Sequence, residues 1–358
     1  MNDKDIRILS ALSRHPLESA TAMSKRTGMA LTTFSKRLKK LYENRVLLSI
    51  SAQVNYPSLG LESIMYFLEI PFTHIKDMEL ALDLHPYTRY RVRSLGAMNG
   101  LYTMFATPTG TAPLINKFVE GLGDLGYVTD HYYRISEGPW AYSETDFAYF
   151  NLDDYTWSFD WNRWESETLT DSPPHPRAED SSPVLHELNS KDMAILRQLS
   201  MNAARRKKDI ALGAQVPDYH LSRRWKKLER SVIDSYRVVI NRDVSKLFST
   251  LMFECDSTDP IKWKFANALP SLPFQSTLIP SSGGFFLQTS IHSLDLPHVG
   301  RILQKYCKEV RVLWSDYDSS MRYWFWDEPY QDGEWISSKE YLVDNVIEAL
   351  IEDPKITR

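Results

Sequence analysis

The stretch KDIRILSAL at residues 4–12 returns as KDMAILRQL at residues 191–199, an offset of 187. The same offset, without a gap, sets SKRLKKL at 35–41 on SRRWKKL at 222–228 and Val46 on Ile233. A register held over that length, keeping apolar and charged positions together, reads as an internal repeat and organises the whole chain. In the first copy Ile6, Ile8, Leu9 and Leu12 recur at helical spacing, a short helix over 20–27 stops at Gly28, and a third helix over 32–44 turns Phe34, Leu38 and Leu41 to one side. The second copy repeats this over 193–199, 209–214 and 218–230, with Leu221, Trp225 and Leu228 inward. Each third helix runs into a β-rich stretch, 46–54 and 232–240. Three helices followed by a two-stranded wing is the winged helix-turn-helix plan.

Beyond each wing the alternation of apolar runs and turn residues predicts strand, helix, strand, strand, helix, strand. In the first copy these fall at 63–70, 75–84, 88–95, 101–107, 112–122 and 127–135; in the second at 248–255, 260–268, 275–280, 285–292, 297–308 and 310–316. The βαββαβ order is that of a ferredoxin-like antiparallel sheet. The fold class is therefore α+β, with two copies of a winged helix-turn-helix plus a ferredoxin-like domain. The expected boundaries are 1–56 and 60–137 for the first copy, 138–187 for an acidic Trp-rich extension and linker, 188–244 and 246–318 for the second copy, and 319–358 for a C-terminal tail.

The extensions carry their own signal. Residues 137–187 hold 12 acidic and 2 basic residues, and 316–358 hold 11 and 4. Eight of the ten tryptophans lie at or beyond the last strand of each copy. Disordered acidic tails lack such aromatics, so these parts are expected to pack back on the sheets. Residues 166–186, rich in Ser, Pro and acids, read as a linker.

The net charge of −4 conceals two basic headpieces. Residues 1–50 hold 10 basic and 4 acidic residues; residues 203–230 hold 9 and 3. A basic patch on one element is the footprint of phosphate contact. The third helices present Thr32, Thr33, Lys36, Arg37, Lys39 and Lys40 in one copy and Tyr219, His220, Arg223, Arg224, Lys226 and Lys227 in the other; Arg205 and Arg206 precede the second helix of copy two. Short polar residues at a helix start reach base edges in the major groove, and lysines and arginines further along neutralise phosphates. The two sets differ, so the headpieces are not expected to read the same half-site.

These residues resemble the Lrp/AsnC (feast/famine) regulators: D-x-x-I-L at 5–9, SKRLKKL at 35–41, LNSKDMAILRQL at 188–199 and RRWKKLE at 223–229, each before a βαββαβ pattern. The resemblance implies a sequence-specific regulator of transcription that binds double-stranded DNA, dimerises through its sheets and responds to a small effector. The loops matching the family's effector region contain Gly96, Met98, Asn99 and Gly100, and Ser282, Gly283 and Gly284, but neither keeps the family's acidic residue.

Two other functions compete. Siroheme decarboxylases share the headpiece-plus-sheet architecture, and such chemistry would use Arg89, Arg91, Arg93, His131 and Arg134 to hold carboxylates. The plainer reading of Arg89, Arg91 and Arg93 is one polar face of a strand. A protein-interaction scaffold in transcription is the other alternative. No G-x-x-x-x-G-K-[ST], G-x-S-x-G or H-E-x-x-H occurs, and Gly121, Gly123 and Gly126 read as a helix stop. Cys255 and Cys307 are too few for a disulfide framework, and no apolar run is long enough to span a membrane. The expectation is a cytoplasmic regulator with no cofactor, no metal and no enzymatic activity.

Overall fold

The computed structural model describes residues 1–170, 183–247 and 249–352. Most of the expected linker, the start of the strand expected at 248 and the last six residues of the tail lie outside them.

The first headpiece is α1 (Asp3–Arg14), α2 (Ala20–Thr27), α3 (Leu31–Glu43) and β1 (Leu47–Val54). Then come β2 (Leu61–Glu69), α4 (Ile75–Leu84), β3 (Thr88–Gly96), β4 (Gly100–Pro108), α5 (Ala112–Asp124) and β5 (Asp130–Ile135). An extension adds β6 (Ala141–Ser143), β7 (Phe150–Asn151), β8 (Thr156–Trp157) and α6 (Trp161–Arg163). The second headpiece is α7 (Ser190–Asn202), α8 (Lys207–Gly213), α9 (Asp218–Ser231) and β9 (Ile233–Ile240), followed by a turn, α10 (Arg242–Ser245). The second sheet unit is β10 (Ser249–Asp256), α11 (Asp259–Ala268), β11 (Ser276–Ser281), β12 (Gly284–Ile291), α12 (Leu296–Tyr306) and β13 (Glu309–Arg322). β14 (Tyr330–Gln331), β15 (Glu334–Trp335) and α13 (Asn345–Glu352) close the chain.

Local chemistry sets the helix starts. Asn2 and Asn189 each cap a helix reciprocally with an acid three residues on, Asp5 and Asp192, so the two headpieces begin with the same capping box. Gly28 ends α2 at φ 65°, in the left-handed region. The wing differs from expectation. Each headpiece supplies one strand, and the second comes from the other copy: β1 pairs antiparallel with β9, from Leu47↔Ile240 to Val54↔Ile233. The wing is thus a seam between the two halves of the chain.

The two βαββαβ units each have the strand order of a ferredoxin-like sheet, and they join edge to edge. The order is β5-β2-β4-β3-β13-β10-β12-β11-β6, with Leu313↔Gly96 to Arg322↔Tyr90 forming the junction. The sheet curls until its ends meet, where Ser136 bridges Ser281. Alternation along each strand then serves two cores. Ile64, Tyr66 and Leu68 face the helices, whereas Met65 and Phe67 face inward, where they meet Met252, Phe286 and Leu313 of the other copy.

The two halves also cross over. The second headpiece (Met193, Leu196, Leu199, Leu228) shares a core with the first sheet's helical face. The first headpiece (Ile8, Leu9, Leu12, Phe34) shares one with Leu251, Phe253 and Leu278 of the second. The aromatic extensions cross the same way. Trp161 stacks on Phe274 at 5.7 Å and donates to Asp295 at 2.7 Å, covering the second unit. Trp335 donates to the Leu59 carbonyl at 2.8 Å, and the Leu342 carbonyl lies 3.1 Å from His85, covering the first. The tails do pack on the sheet units, but each on the unit of the other half of the chain. Among the described residues no helix is long and apolar enough to cross a membrane.

Candidate functional site

The headpieces place the expected DNA-facing residues in two groups. One group is tied into the fold. Arg37 donates to Asp5 at 2.8 Å and Asn2 at 3.0 Å; Arg224 donates to Asp192 at 2.6 Å and Asn189 at 3.2 Å. Both arginines thus reach back to a capping box and fasten the third helix to the first. Lys227 bonds the Glu187 carbonyl, Arg205 holds Gln198 at 2.8 Å, and Arg206 pairs with Asp209 at 2.8 Å. The other group faces solvent: Thr32, Lys36, Lys39 and Lys40 on α3, and Tyr219, His220, Arg223 and Lys226 on α9, with Thr33 half-buried. α3 and α9 flank one cleft of about 450 Å³, lined by Leu38 and Tyr42 on one side and Trp225 and Lys226 on the other.

The larger concavity lies on the seam between headpieces and sheet, with a volume of about 590 Å³. β1 and β9 form its roof through Ser49, Ser51, Gln53, Arg237 and Val239. The sheet forms its floor through Tyr90, Tyr102, Met104, Thr277, Ile279 and Gln288, and Trp140, Tyr142, Tyr317, Trp324 and Phe325 complete the walls. Its size is in the range of small-molecule and cofactor sites. Its charged lining residues, among those described, are Arg89, Arg237 and Arg322, with no carboxylate.

The three guanidinium groups differ in how they are satisfied. Arg237 is paired: Glu144 lies at 3.0 Å, Thr277 Oγ1 at 3.2 Å and the Ser276 carbonyl at 3.1 Å. Arg322 has Gln53 Oε1 at 3.2 Å and keeps much of its surface toward the cavity. Burial, then the like charge of Arg237, pull its pKa down. Arg89 is 2% exposed, and its Nε and Nη2 have no hydrogen-bond partner. Burial lowers its pKa as well. An unpaired buried charge costs several kcal/mol, and native proteins rarely keep one without a ligand or a role.

Arg89 reaches the cavity because of a register shift between Thr88 and Tyr90 that leaves it the extra residue of β3. This corrects the expectation of one polar strand face. Arg91 instead pairs with Asp83 at 2.5 Å and Arg93 with Glu79 at 2.8 Å, on the helix side. His131 contacts Asn116 at 3.3 Å, and Arg134 clamps Glu254 and Asp256 across the copies, so neither joins the cavity. The expected effector loops are also elsewhere. Gly96, Met98, Asn99 and Gly100 lie at the far end of β3 and β4, where Gly100 passes so close to the Leu68 carbonyl that a Cβ would sit 2.2 Å from it. Ser282, Gly283 and Gly284 turn beside Cys255 and Ser257. The sequence reading missed Arg237 and Arg322. The signal available for Arg237 was an arginine followed by Val238 and Val239 whose counterpart at the offset of 187 is the apolar Ile50.

Residues 1–47 match the winged helix-turn-helix DNA-binding family. No curated protein matches the sequence. Among solved structures, siroheme decarboxylase NirDL superposes on 98% of this chain and 100% of its own, with a TM-score of 0.57 and 12% identity. The same enzyme in co-complex with an iron-uroporphyrin III analogue covers 97% and 99%, with a TM-score of 0.54 and 13% identity. An AsnC family transcriptional regulator from Agrobacterium tumefaciens covers 39% of this chain and 92% of its own, at a TM-score of 0.34 and 15% identity. At this identity the likeness to the decarboxylase establishes the fold alone. It also overturns the expectation that the chain is not an enzyme: the architecture, from first headpiece to last extension, is one on which an enzyme is built. The chain has an N-terminal winged helix-turn-helix of DNA-binding type and ferredoxin-like sheets, on a plan shared along its whole length with a siroheme decarboxylase.

Proposed function

We propose that the protein binds a flat, multiply carboxylated macrocycle of the siroheme class in the central cavity and removes carboxylate from it as carbon dioxide. The observation that carries this reading is Arg89, a buried guanidinium with unpartnered Nε and Nη2 on the wall of a 590 Å³ cavity whose other charged lining groups are also arginines. Such a cation is stabilised by an anion, and a guanidinium pairs best with a planar carboxylate. The aromatic walls offer flat apolar faces to a flat ring. The likeness to a siroheme decarboxylase supports the same substrate class.

The chemistry needs three things of these residues. Carboxylates that stay must be held, which Arg89 and Arg322 can do. The carboxylate that leaves must be desolvated, because its charge disperses into the ring as the carbon–carbon bond breaks. The carbon left behind must receive a proton, so that R–CH₂–COO⁻ and H⁺ become R–CH₃ and CO₂. Tyr90, whose phenol burial pushes up to about 12, and Tyr142 stand protonated on the cavity wall and can donate. At the offset of 187 Arg237 corresponds to the apolar Ile50, so the two halves of the chain do not bring matching charges to the cavity. The expectation is one ligand per chain in one orientation. The test is a titration with siroheme followed by absorbance, then mass analysis of the product for loss of CO₂. Absence of binding refutes the reading.

The headpieces favour a second reading, a sequence-specific DNA-binding regulator with the cavity as effector site. It is supported by the match over 1–47 and by the exposed Lys36, Lys40, Arg223 and Lys226. Fluorescence anisotropy with promoter DNA across a salt series, against scrambled competitor, tests it; binding without sequence preference argues against a regulator.

A further inference from the structure

The cavity's arginines come from β3, β9 and the end of β13, but it has a second polar corner around β10 and β12, lined by Thr250, Gln275, Ser290 and Ser320. In the sheet β10 and β12 stand two and three places from β3, which carries Arg89. At about 4.8 Å per strand that is roughly 10–15 Å across the sheet. Thr250 and Ser290 lie directly opposite each other in the β10–β12 register, their hydroxyl oxygens 3.1 Å apart. Behind them is α10, the turn that joins the roof strand β9 to β10. Its first residue, Arg242, donates through Nη1 to Thr250 Oγ1 at 2.6 Å. A guanidinium only donates, and a hydroxyl has one hydrogen. Arg242 therefore fills one lone pair of Thr250. If Thr250 donates to Ser290, the Ser290 hydrogen is left over; if Ser290 donates to Thr250, the Thr250 hydrogen is left over. Both residues line the cavity, so either arrangement leaves a hydrogen to give to a bound ligand. Burial lowers the pKa of Arg242, yet a guanidinium stays charged, and its field acts through the same short chain. Hydroxyls polarised by a cation, with no carboxylate among the described lining residues, suit an anionic oxygen.

We propose that Thr250 and Ser290, polarised by Arg242, form a second carboxylate subsite, which takes an acid on the rim of the macrocycle across from the acid held by Arg89; the assignment rests on the substrate class argued above. Guanidinium contacts on one edge and hydroxyl contacts on the other fix which way round the ring sits. A ring with carboxylates all round its rim engages both subsites. A ring with carboxylates on one edge engages the arginines and leaves the hydroxyls empty, because the guanidinium is the stronger partner.

The test measures the Kd of the full chain for two probes by absorbance: ferric uroporphyrin III, with carboxylates all round the rim, and ferric deuteroporphyrin, whose carboxylates lie on one edge. Either hydroxyl alone keeps a hydrogen to donate, so the decisive variant combines Thr250→Val with Ser290→Ala. It should bind ferric uroporphyrin III about 5- to 30-fold more weakly than the native chain does. It should bind ferric deuteroporphyrin equally well, which also shows that the cavity is intact. Ser290→Asp alone, which sets a like charge in the subsite, should have the same selective effect, whereas Arg89→Met should weaken both probes. Unchanged binding of ferric uroporphyrin III by the double variant and by Ser290→Asp, or an equal loss for both probes, overturns the subsite and leaves the cavity reading standing. Failure of the native chain to bind ferric uroporphyrin III overturns both.

Discussion

Replacing Arg89 with methionine should move stability and binding in opposite directions. In the native chain the guanidinium is 2% exposed with Nε and Nη2 unsatisfied, so folding without ligand bears its desolvation uncompensated. Methionine fills similar space, packs against Phe325, whose ring centroid lies 5.9 Å from the guanidinium carbon, and needs no partner. Relieving one buried unsatisfied group is worth about 1–3 kcal/mol. For a chain of 358 residues that corresponds to a rise in melting temperature of roughly 1–4 °C. The same change removes a charge-assisted contact to a ligand carboxylate, worth about 1.5–3 kcal/mol, so the Kd should rise by roughly 10- to 100-fold. The assay pairs urea and thermal unfolding of the ligand-free chain with a titration of ferric uroporphyrin III. A variant that is less stable than the native chain and binds the probe equally well would show that Arg89 is a structural group and refute the reasoning.

His85 gives a pH dependence. It is buried, accepts from the Tyr87 amide at 3.2 Å through Nδ1 and faces the Leu342 carbonyl through Nε2, and burial takes its pKa down to about 3. Its folded pKa lies below its unfolded value of roughly 6.5, so its contribution is intact above pH 6.5 and is lost as pH falls; at pH 5 the loss is about 2 kcal/mol. Urea midpoints at pH 7 and pH 5 should therefore diverge in the native chain and converge in His85→Gln; equal divergence in both removes His85 as the cause. In the headpieces, Arg37→Ala should cost about 1 kcal/mol of stability by breaking the tie to Asp5 and Asn2. Lys36→Ala and Lys40→Ala should leave stability unchanged and, if the headpiece contacts DNA, each should reduce the salt slope of binding by about 1. Unfolding curves and anisotropy on the three variants separate the roles, and an unchanged salt slope in both lysine variants contradicts phosphate contact there. Gly284→Ala would drive a Cβ to 1.9 Å from the Cys255 carbonyl within the β10–β12 ladder, and a loss of about 2–4 kcal/mol is expected in urea unfolding; a neutral effect would mean the ladder shifts freely.

What was legible in the sequence is what is local. The capping boxes at Asn2 and Asn189, the stop at Gly28 and the apolar stripes of α3 and α9 are written in adjacent residues. The βαββαβ order follows from alternation and turns. The partners of these elements were not legible. β1 and β9 read as strands, but pairing with each other across some 180 residues leaves no mark within either. The tryptophans at 161 and 335 announced packing without saying onto which copy. Arg89 was seen as one of an alternating trio, and only the shift at Thr88–Tyr90 takes it away from Arg91 and Arg93. Arg237 and Arg322 come from different elements, and nothing in either strand shows that they converge on one cavity. A site built on a seam is the part of a fold that one-dimensional reading sees least.

The most direct measurement of the central claim is a titration of the native chain with siroheme, followed by absorbance, alongside Arg89→Met and Arg322→Met. The cavity account predicts saturable binding of one equivalent, weakened by each variant, and appearance of a product that has lost CO₂. Tight binding that neither variant disturbs would place the ligand elsewhere, and no binding at all would contradict the account outright.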